Sequence, residues 1–168
     1  VVLVKFTDGT HDVEVLPAYE VDGVFKIPNS ENGGHWENLD ARTELNLIVD
    51  SHLKTGYRTR KLIRMIKRWR KENTSMTIKS YEIELYCVKF FDTQPYEGKS
   101  WSEVVYAFFA WLSKIANKDA SFIESAHNRA LKARAYEVTD KIEKACEEWG
   151  KVFGAAFPAY SRSLDEVY

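Results

Sequence analysis

Thr10-His11-Asp12-Val13-Glu14-Val15-Leu16-Pro17-Ala18 decides how the first part of the chain reads. Side chains alternate faces along a strand, so Asp12 and Glu14 project to one side while Val13, Val15 and Leu16 hold the sheet. Two carboxylates on one strand face repel each other unless a positive group sits between them. A divalent cation with oxygen ligands is the usual solution; an edge strand with a solvated acidic face is the competing one. Upstream, residues 1–6 (Val-Val-Leu-Val-Lys-Phe) have strand composition, and Thr7-Asp8-Gly9-Thr10 is a turn sequence. Residues 1–6 and 11–16 are therefore expected to pair as an antiparallel hairpin. A short further strand is expected over residues 24–27. Pro28-Asn29-Ser30-Glu31-Asn32-Gly33-Gly34 then reads as a polar, turn-rich loop of the kind that carries function.

Beyond Asp40 the pattern turns helical. Asp40 is placed to cap a helix over 41–54, stopped by Gly56. Further helices are expected over 57–72, ended by Asn73, over 79–91, before Gln94-Pro95, and over 100–116. A long last helix, rich in Ala, Glu and Lys, is expected over 121–149, with Gly150 and Gly154 punctuating its end. The division is residues 1–40, a hairpin, short strand and loop; residues 41–158, a helical domain; and residues 159–168, a tail. The plan is α+β, a small sheet followed by a helical bundle.

Composition narrows the class. At 168 residues the chain is long enough to bury a core, and 45% hydrophobic content with 14% aromatic argues for a folded globule. A formal net charge of −1 gives no general affinity for polyanions, so a nucleotide site must come from local charge. Cys87 and Cys146 lie in apolar helical patterns and read as buried thiols of a reducing compartment. No signal peptide or membrane-spanning run is visible, and the cytoplasm is the default location. The chain opens inside a strand without an initiator Met, so preceding strands are expected to be missing.

The helix over 57–72 has the most one-sided charge. Arg58, Arg60, Lys61, Arg64, Lys67, Arg68, Arg70 and Lys71 occur there between Arg58 and Lys71 without one acid. At helical spacing Arg60, Arg64, Lys67 and Lys71 form a stripe, with Leu62, Met65, Ile66 and Trp69 roughly opposite and facing the core. Stacked cations repel unless an anion compensates, and phosphate fits lysine as a point charge and arginine as a planar fork. The plainer alternative is a solvated basic face. In Lys79-Ser80-Tyr81-Glu82-Ile83-Glu84-Leu85, Ser80 is placed to cap a helix and leave its hydroxyl beside free backbone N–H groups. Tyr81 offers a ring for a nucleobase; a simple cap with a core tyrosine is the alternative. His11, His35, His52 and His127 lack the i, i+4 pairing of a metal site. His35-Trp36 could line a pocket mouth or anchor the loop. Trp101, Phe108, Phe109 and Trp111 sit at core spacing, and Trp149, Phe153 and Phe157 are expected to fasten the C-terminal end. No Walker loop, dinucleotide-binding glycine pattern or serine elbow is present.

These elements follow one another in a recognisable order. Glu14-Val15-Leu16-Pro17-Ala18, a basic helix with Ile66-Lys67-Arg68-Trp69, then Ser80-Tyr81-Glu82-Ile83-Glu84-Leu85 resembles the oligoadenylate-synthetase-like nucleotidyltransferases of the polymerase-β superfamily. More narrowly the chain resembles the bacterial cGAS/DncV-like enzymes (CD-NTases), through Gly23-Val24-Phe25-Lys26-Ile27-Pro28-Asn29-Ser30, Gly33-Gly34-His35-Trp36 and Trp149-Gly150-Lys151-Val152-Phe153-Gly154 through Phe157-Pro158. The resemblance covers nearly all of residues 1–158. It implies that residues 1–40 are the remnant of a polymerase-β-like palm sheet and residues 41–158 an oligoadenylate-synthetase-like bundle. It further implies two metal ions, Mg2+ or Mn2+, on palm carboxylates, one activating a ribose hydroxyl and one holding the triphosphate. Glu14 falls on the third carboxylate position, where Asp is commoner, with Asp12 in reserve. Lys67 falls on the lysine that contacts the triphosphate, Ser80 on the residue that touches phosphate, and Tyr81 on the aromatic that stacks the base. Arg60 and Arg64 join them as candidate nucleotide-binding residues from the charge pattern.

The family's Gly-Ser loop and Asp-x-Asp pair have no match in these residues, so the 168 residues alone are expected to be inactive. The intact enzyme is expected to use nucleoside triphosphates (ATP, with GTP or others) to make a cyclic or linear oligonucleotide second messenger in anti-phage signalling. A regulatory protein partner fits that role, while no membrane and no long nucleic acid is expected. Two other readings stand beside it: an RNA-end nucleotidyltransferase, which would want a broad basic surface, and a non-catalytic module that senses a nucleotide or binds a protein.

Overall fold

The computed structural model describes residues 2–7, 13–29, 33–39 and 41–160, and for residues 14, 41, 42, 44 and 156 the backbone alone. The order is β1 (Val2–Val4), β2 (Val13–Val15), β3 (Tyr19–Val21), β4 (Val24–Asn29), β5 (His35–Leu39), α1 (Ala41–Lys54), α2 (Thr59–Glu72), α3 (Ser80–Thr93), α4 (Trp101–Ile115), α5 (Ala120–Val138) and α6 (Ile142–Phe153). The protein is mixed α+β and divides into two compact units, Val1–Leu47 and Ile48–Tyr168. No helix among the described residues is long and apolar enough to cross a membrane.

In the first unit β1 and β2 pair antiparallel, with Val2 opposite Val15 and Val4 opposite Val13, the hairpin that the two apolar runs predict. The Asp8-Gly9 turn, Asp12 and the capping position Asp40 lie outside the described residues. A second hairpin was not anticipated. Asp22 and Gly23 have φ of 51° and 80°, and Val21 faces Val24 directly across them. Two consecutive left-handed residues are what a two-residue type I′ turn requires, and Asp-Gly supplies them. β5 is also a correction: residues 28–29 and 35–39, read as loop or left unassigned, are strand. β4 pairs β5 from Phe25 opposite Leu39 to Asn29 opposite His35. Pro28 fits because β3 stops opposite Lys26, leaving Pro28 a neighbour on one side only. Trp36 belongs to this strand, meeting Tyr19 edge-on at 4.7 Å, and is exposed. Val13 and Val15 hold the β1–β2 ladder as expected, but they and Leu16 are exposed. The consecutive residues Val2, Leu3 and Val4 are exposed as well, so both faces of β1 are uncovered.

The second unit holds the core. Leu62, Ile66 and Trp69 of α2, Ile83, Cys87 and Phe90 of α3, and Ala126, Ala130 and Ala133 of α5 are buried. Each set has i, i+4, i+7 spacing, one stripe per helix. The alanines let α5 lie close against both α4 and α6. From α4 come Val104, Phe108, Phe109 and Leu112. Trp69 meets Phe109 edge-on at 5.0 Å, and Phe90 meets Phe108 at 5.4 Å, the arrangement that ring quadrupoles favour. α4 starts as its Ser-x-x-Glu sequence predicts: Ser100 Oγ accepts from Glu103 N–H at 3.3 Å, and Ser100 N–H donates to Glu103 Oε2 at 2.8 Å.

The expected single helix over 121–149 is two. α5 ends in a Schellman motif, with Lys141 N–H donating to Tyr136 O at 2.9 Å and Asp140 N–H to Glu137 O at 3.1 Å. The left-handed position usually taken by glycine is held by Asp140, at φ 56°, which a short polar side chain tolerates. Beyond α6 the chain turns at Gly154, where a Cβ would collide with the Glu72 carboxyl group. Trp149, Phe153 and Phe157 then stack at successive centroid distances of 6.0 Å, the fastening that their spacing suggests. Cys87 is buried, its thiol pushed well up by burial, whereas Cys146 is only half-buried; both are free.

Phe90 is fully buried and meets Phe91, Phe108 and Trp111. Phe90→Ala should lower the unfolding free energy by about 3–5 kcal/mol through lost burial and the cavity left behind, measured by urea denaturation.

Candidate functional site

The corner between α1 and α2 is built from small polar residues. Gly56, at φ 59°, ends α1 by donating its N–H to Leu53 O at 3.1 Å, while Tyr57 N–H reaches back to His52 O at 2.8 Å. This is again a Schellman motif, here with glycine in the left-handed position. Ser51, Thr55 and Thr59 are buried below the turn. Thr55 Oγ1 donates to Ser51 O at 2.8 Å, so its proton is committed. Thr59 must then donate to Thr55 Oγ1 across 2.9 Å, and Ser51 to Thr59 Oγ1 across 2.8 Å. The remaining lone pair of Thr55 Oγ1 is shared between the N–H groups of Arg58 at 3.3 Å and Thr59 at 3.2 Å. The next N–H, of Arg60, donates to His52 Nδ1 at 3.3 Å. His52 is thereby held as a neutral ring with its proton on Nε2.

Around this corner lies a cleft of about 520 Å3 lined by Ile48, His52, Tyr57, Arg60, Lys61, Ile63, Arg64 and Glu84. The cations of α2 divide into two groups. Arg58 donates to Tyr96 O and Lys99 O and lies over the Trp101 ring at 4.7 Å. Arg68 pairs with Glu72 at 2.6 Å and donates to Phe153 O, and Arg70 donates to Ile78 O. Lys67 is paired with Glu84. Arg60, Lys61, Arg64 and Lys71 have no acidic partner among the described residues, and the first three line the cleft. Arg60 and Lys61 also occupy the first turn of α2, which holds no acid. That is the positive end of the helix dipole, where cations are disfavoured. Burial first, then the charges of Arg60, Lys61 and Arg64, hold the His52 pKa below its ordinary value of 6.5.

The structure brings Arg60 and Arg64 together as the charge stripe predicts, but breaks the stripe at Lys67. Ser80 is the first residue of α3 rather than its cap; Lys79 caps it, donating its N–H to Glu82 Oε2 at 2.7 Å. Ser80 and Tyr81 are exposed, and Tyr81 lies outside the lining of the cleft. Asp12 is outside the described residues, and Glu14 is placed only by its backbone, opposite Leu3 in the β1–β2 pair. Among the described residues no cluster of His, Cys, Asp and Glu could hold a metal ion. The residues that sequence reasoning missed are His52, Tyr57 and Lys61. A signal existed, since His52 and Arg60 straddle the helix stop at Gly56, so a corner there folds one onto the other.

Two outcomes follow from this geometry. Thr59→Val removes the middle hydroxyl of the buried relay and should cost about 1–3 kcal/mol, the desolvation of polar groups left unpaired, measured by denaturation. By NMR titration His52 should show a pKa below 6.5. Because the folded state disfavours the protonated ring, the associated stability is complete above the unfolded value and lost as pH falls through it towards the lowered value. Inorganic phosphate in the cleft should move the pKa back up. No protein-family model matches the chain, and no curated protein matches it.

Proposed function

We propose that the chain binds the phosphate groups of a nucleotide in the α1–α2 cleft, as the helical part of a metal-dependent nucleotidyltransferase that makes an oligonucleotide second messenger. The observation that carries the binding is the convergence of Arg60, Lys61 and Arg64, without acidic partners among the described residues, on one cleft at the positive end of α2. The N–H groups of Arg58, Thr59 and Arg60 are already taken by Thr55 and His52, so an anion is held there by side chains. Arginine forks and a lysine point charge suit phosphate oxygens.

The transferase half of this reading comes from the resemblance described above, in which residues 1–40 derive from a polymerase-β-like palm. Asp12 and Glu14 would hold magnesium, and ATP, with GTP as a further candidate, would be the substrate. In that resemblance Lys67, Ser80 and Tyr81 contact the triphosphate and the base, but Lys67 is paired with Glu84, and none of the three lines this cleft, so they are not its ligands in the present reading. The same pairing favours a second reading, a non-catalytic nucleotide sensor using the same cleft. Pyrophosphate release from ATP and GTP with magnesium by the intact enzyme separates the two.

Calorimetric titration with ATP tests the binding. Arg60→Ala and Arg64→Ala should each weaken it by about 1–3 kcal/mol, as for loss of a charge-assisted hydrogen bond. Lys71→Ala should leave it unchanged, and Lys67→Ala should have a smaller effect than either arginine. Affinity untouched by both arginine substitutions would remove the cleft from the account.

A further inference from the structure

We propose that Tyr57 is the base-stacking residue of the cleft, whose ligand is a single nucleotide lying with its base on the Tyr57 ring and its phosphates on Arg60, Lys61 and Arg64. This rests on the reading of the cleft as a phosphate site and adds the nucleobase to it.

Tyr57 has a backbone φ of 67°, the left-handed region that a bulky residue enters at a cost. Burial does not offset that cost, because Tyr57 is 60% exposed. Strain at an exposed position in a cleft wall points to a use for the side chain. The ring is also held in place. It meets His52 edge-on at 5.3 Å and 83°, and the His52 ring is fixed in turn by the Arg60 N–H. An aromatic ring held before the ligand arrives loses little freedom on binding, and an aromatic face accepts any base by stacking.

The distances suit one nucleotide. Tyr57 lies at the corner, Arg60 and Lys61 in the first turn of α2, and Arg64 a turn further, about 6 Å along the helix axis. A base at the corner thus has cations beside it for a short run of phosphates. The cleft volume of about 520 Å3 falls within the range of small-molecule sites. Tyr81, in the first turn of α3, is 50% exposed but does not line the cleft.

The test compares ATP with inorganic tripolyphosphate, which lacks base and sugar, by calorimetry on the full 168-residue chain. Tyr57→Leu keeps an apolar contact for His52 but no aromatic face. It should weaken ATP on the order of tenfold and leave tripolyphosphate unchanged, while Tyr57→Trp should retain ATP affinity and Tyr81→Leu should have no effect. ATP affinity unchanged in Tyr57→Leu, loss of both ligands alike in that variant, or loss of ATP in Tyr81→Leu would each overturn the role of Tyr57. Arg64→Ala should weaken both ligands. If wild type binds neither ATP nor tripolyphosphate, the phosphate reading falls and takes this one with it.

Discussion

Three hydroxyl groups hold the corner on which the proposed phosphate site depends. Ser51, Thr59 and Thr55 pass their protons in one direction to the Ser51 carbonyl, so each buried hydroxyl is satisfied without water. The last of them also caps α2 by accepting N–H groups from Arg58 and Thr59. One relay therefore ends one helix, starts the next and fixes the angle between them. The positions of His52, Tyr57, Arg60 and Arg64 follow from that angle. Three apolar residues of similar size would fill the space but leave the start of α2 uncapped, at a cost of about 1 kcal/mol.

The same corner concentrates an electrostatic conflict. Cations in the first turn of a helix are unfavourable by roughly 0.3–1 kcal/mol each when exposed, and Arg60 and Lys61 both sit there. The conflict is small beside the burial of Trp69, Phe90, Phe108 and Phe109, so the fold tolerates it without a compensating acid. An anion entering the cleft reverses the sign of those interactions. His52, neutral and accepting the Arg60 N–H, adds no fourth positive charge near neutral pH.

The helices were largely legible because their apolar spacing is regular. Residues 41–54 match α1 to the residue, and Ser100-x-x-Glu103 marks the start of α4. Reading failed where a less usual residue did a familiar job. Asp140 ends α5 in the place of a glycine, inside a run rich in Ala, Glu and Lys whose helix propensity conceals the break. Asp22-Gly23 is a strong turn signal, but Tyr19–Val21 is only three residues long, too short for its apolar pattern to mark a strand. β5 has no hydrophobic alternation: His35 pairs with Glu37, Asn29 donates to Glu37, and Lys26 donates to Asn38. For the site, the charge of α2 was visible but its distribution was not. The partners of Arg58 and Lys67 lie 38 or 41 and 17 residues away along the chain, and Arg68, besides its i, i+4 partner Glu72, reaches a carbonyl 85 residues away; spacing within one helix says nothing about those distant partners.

Those distant partners decide which part of α2 can act. The Lys67–Glu84 pair has side chains about one-third exposed, so solvent screens it and its contribution to stability is modest. Its effect on the surrounding field is larger, because it cancels one charge of the stripe where Arg60 and Arg64 would otherwise continue. Arg68 and Arg70 spend their guanidinium N–H groups on Phe153 O and Ile78 O, and Arg58 is fixed against Trp101. In the C-terminal half of α2 every cation but Lys71 is thus neutralised or bound up in structure, whereas Arg60, Lys61 and Arg64 in the other half have no acidic partner among the described residues. Since attraction falls with distance and with screening, the proposed phosphate site belongs on the N-terminal half. The aromatic residue beside that half is Tyr57.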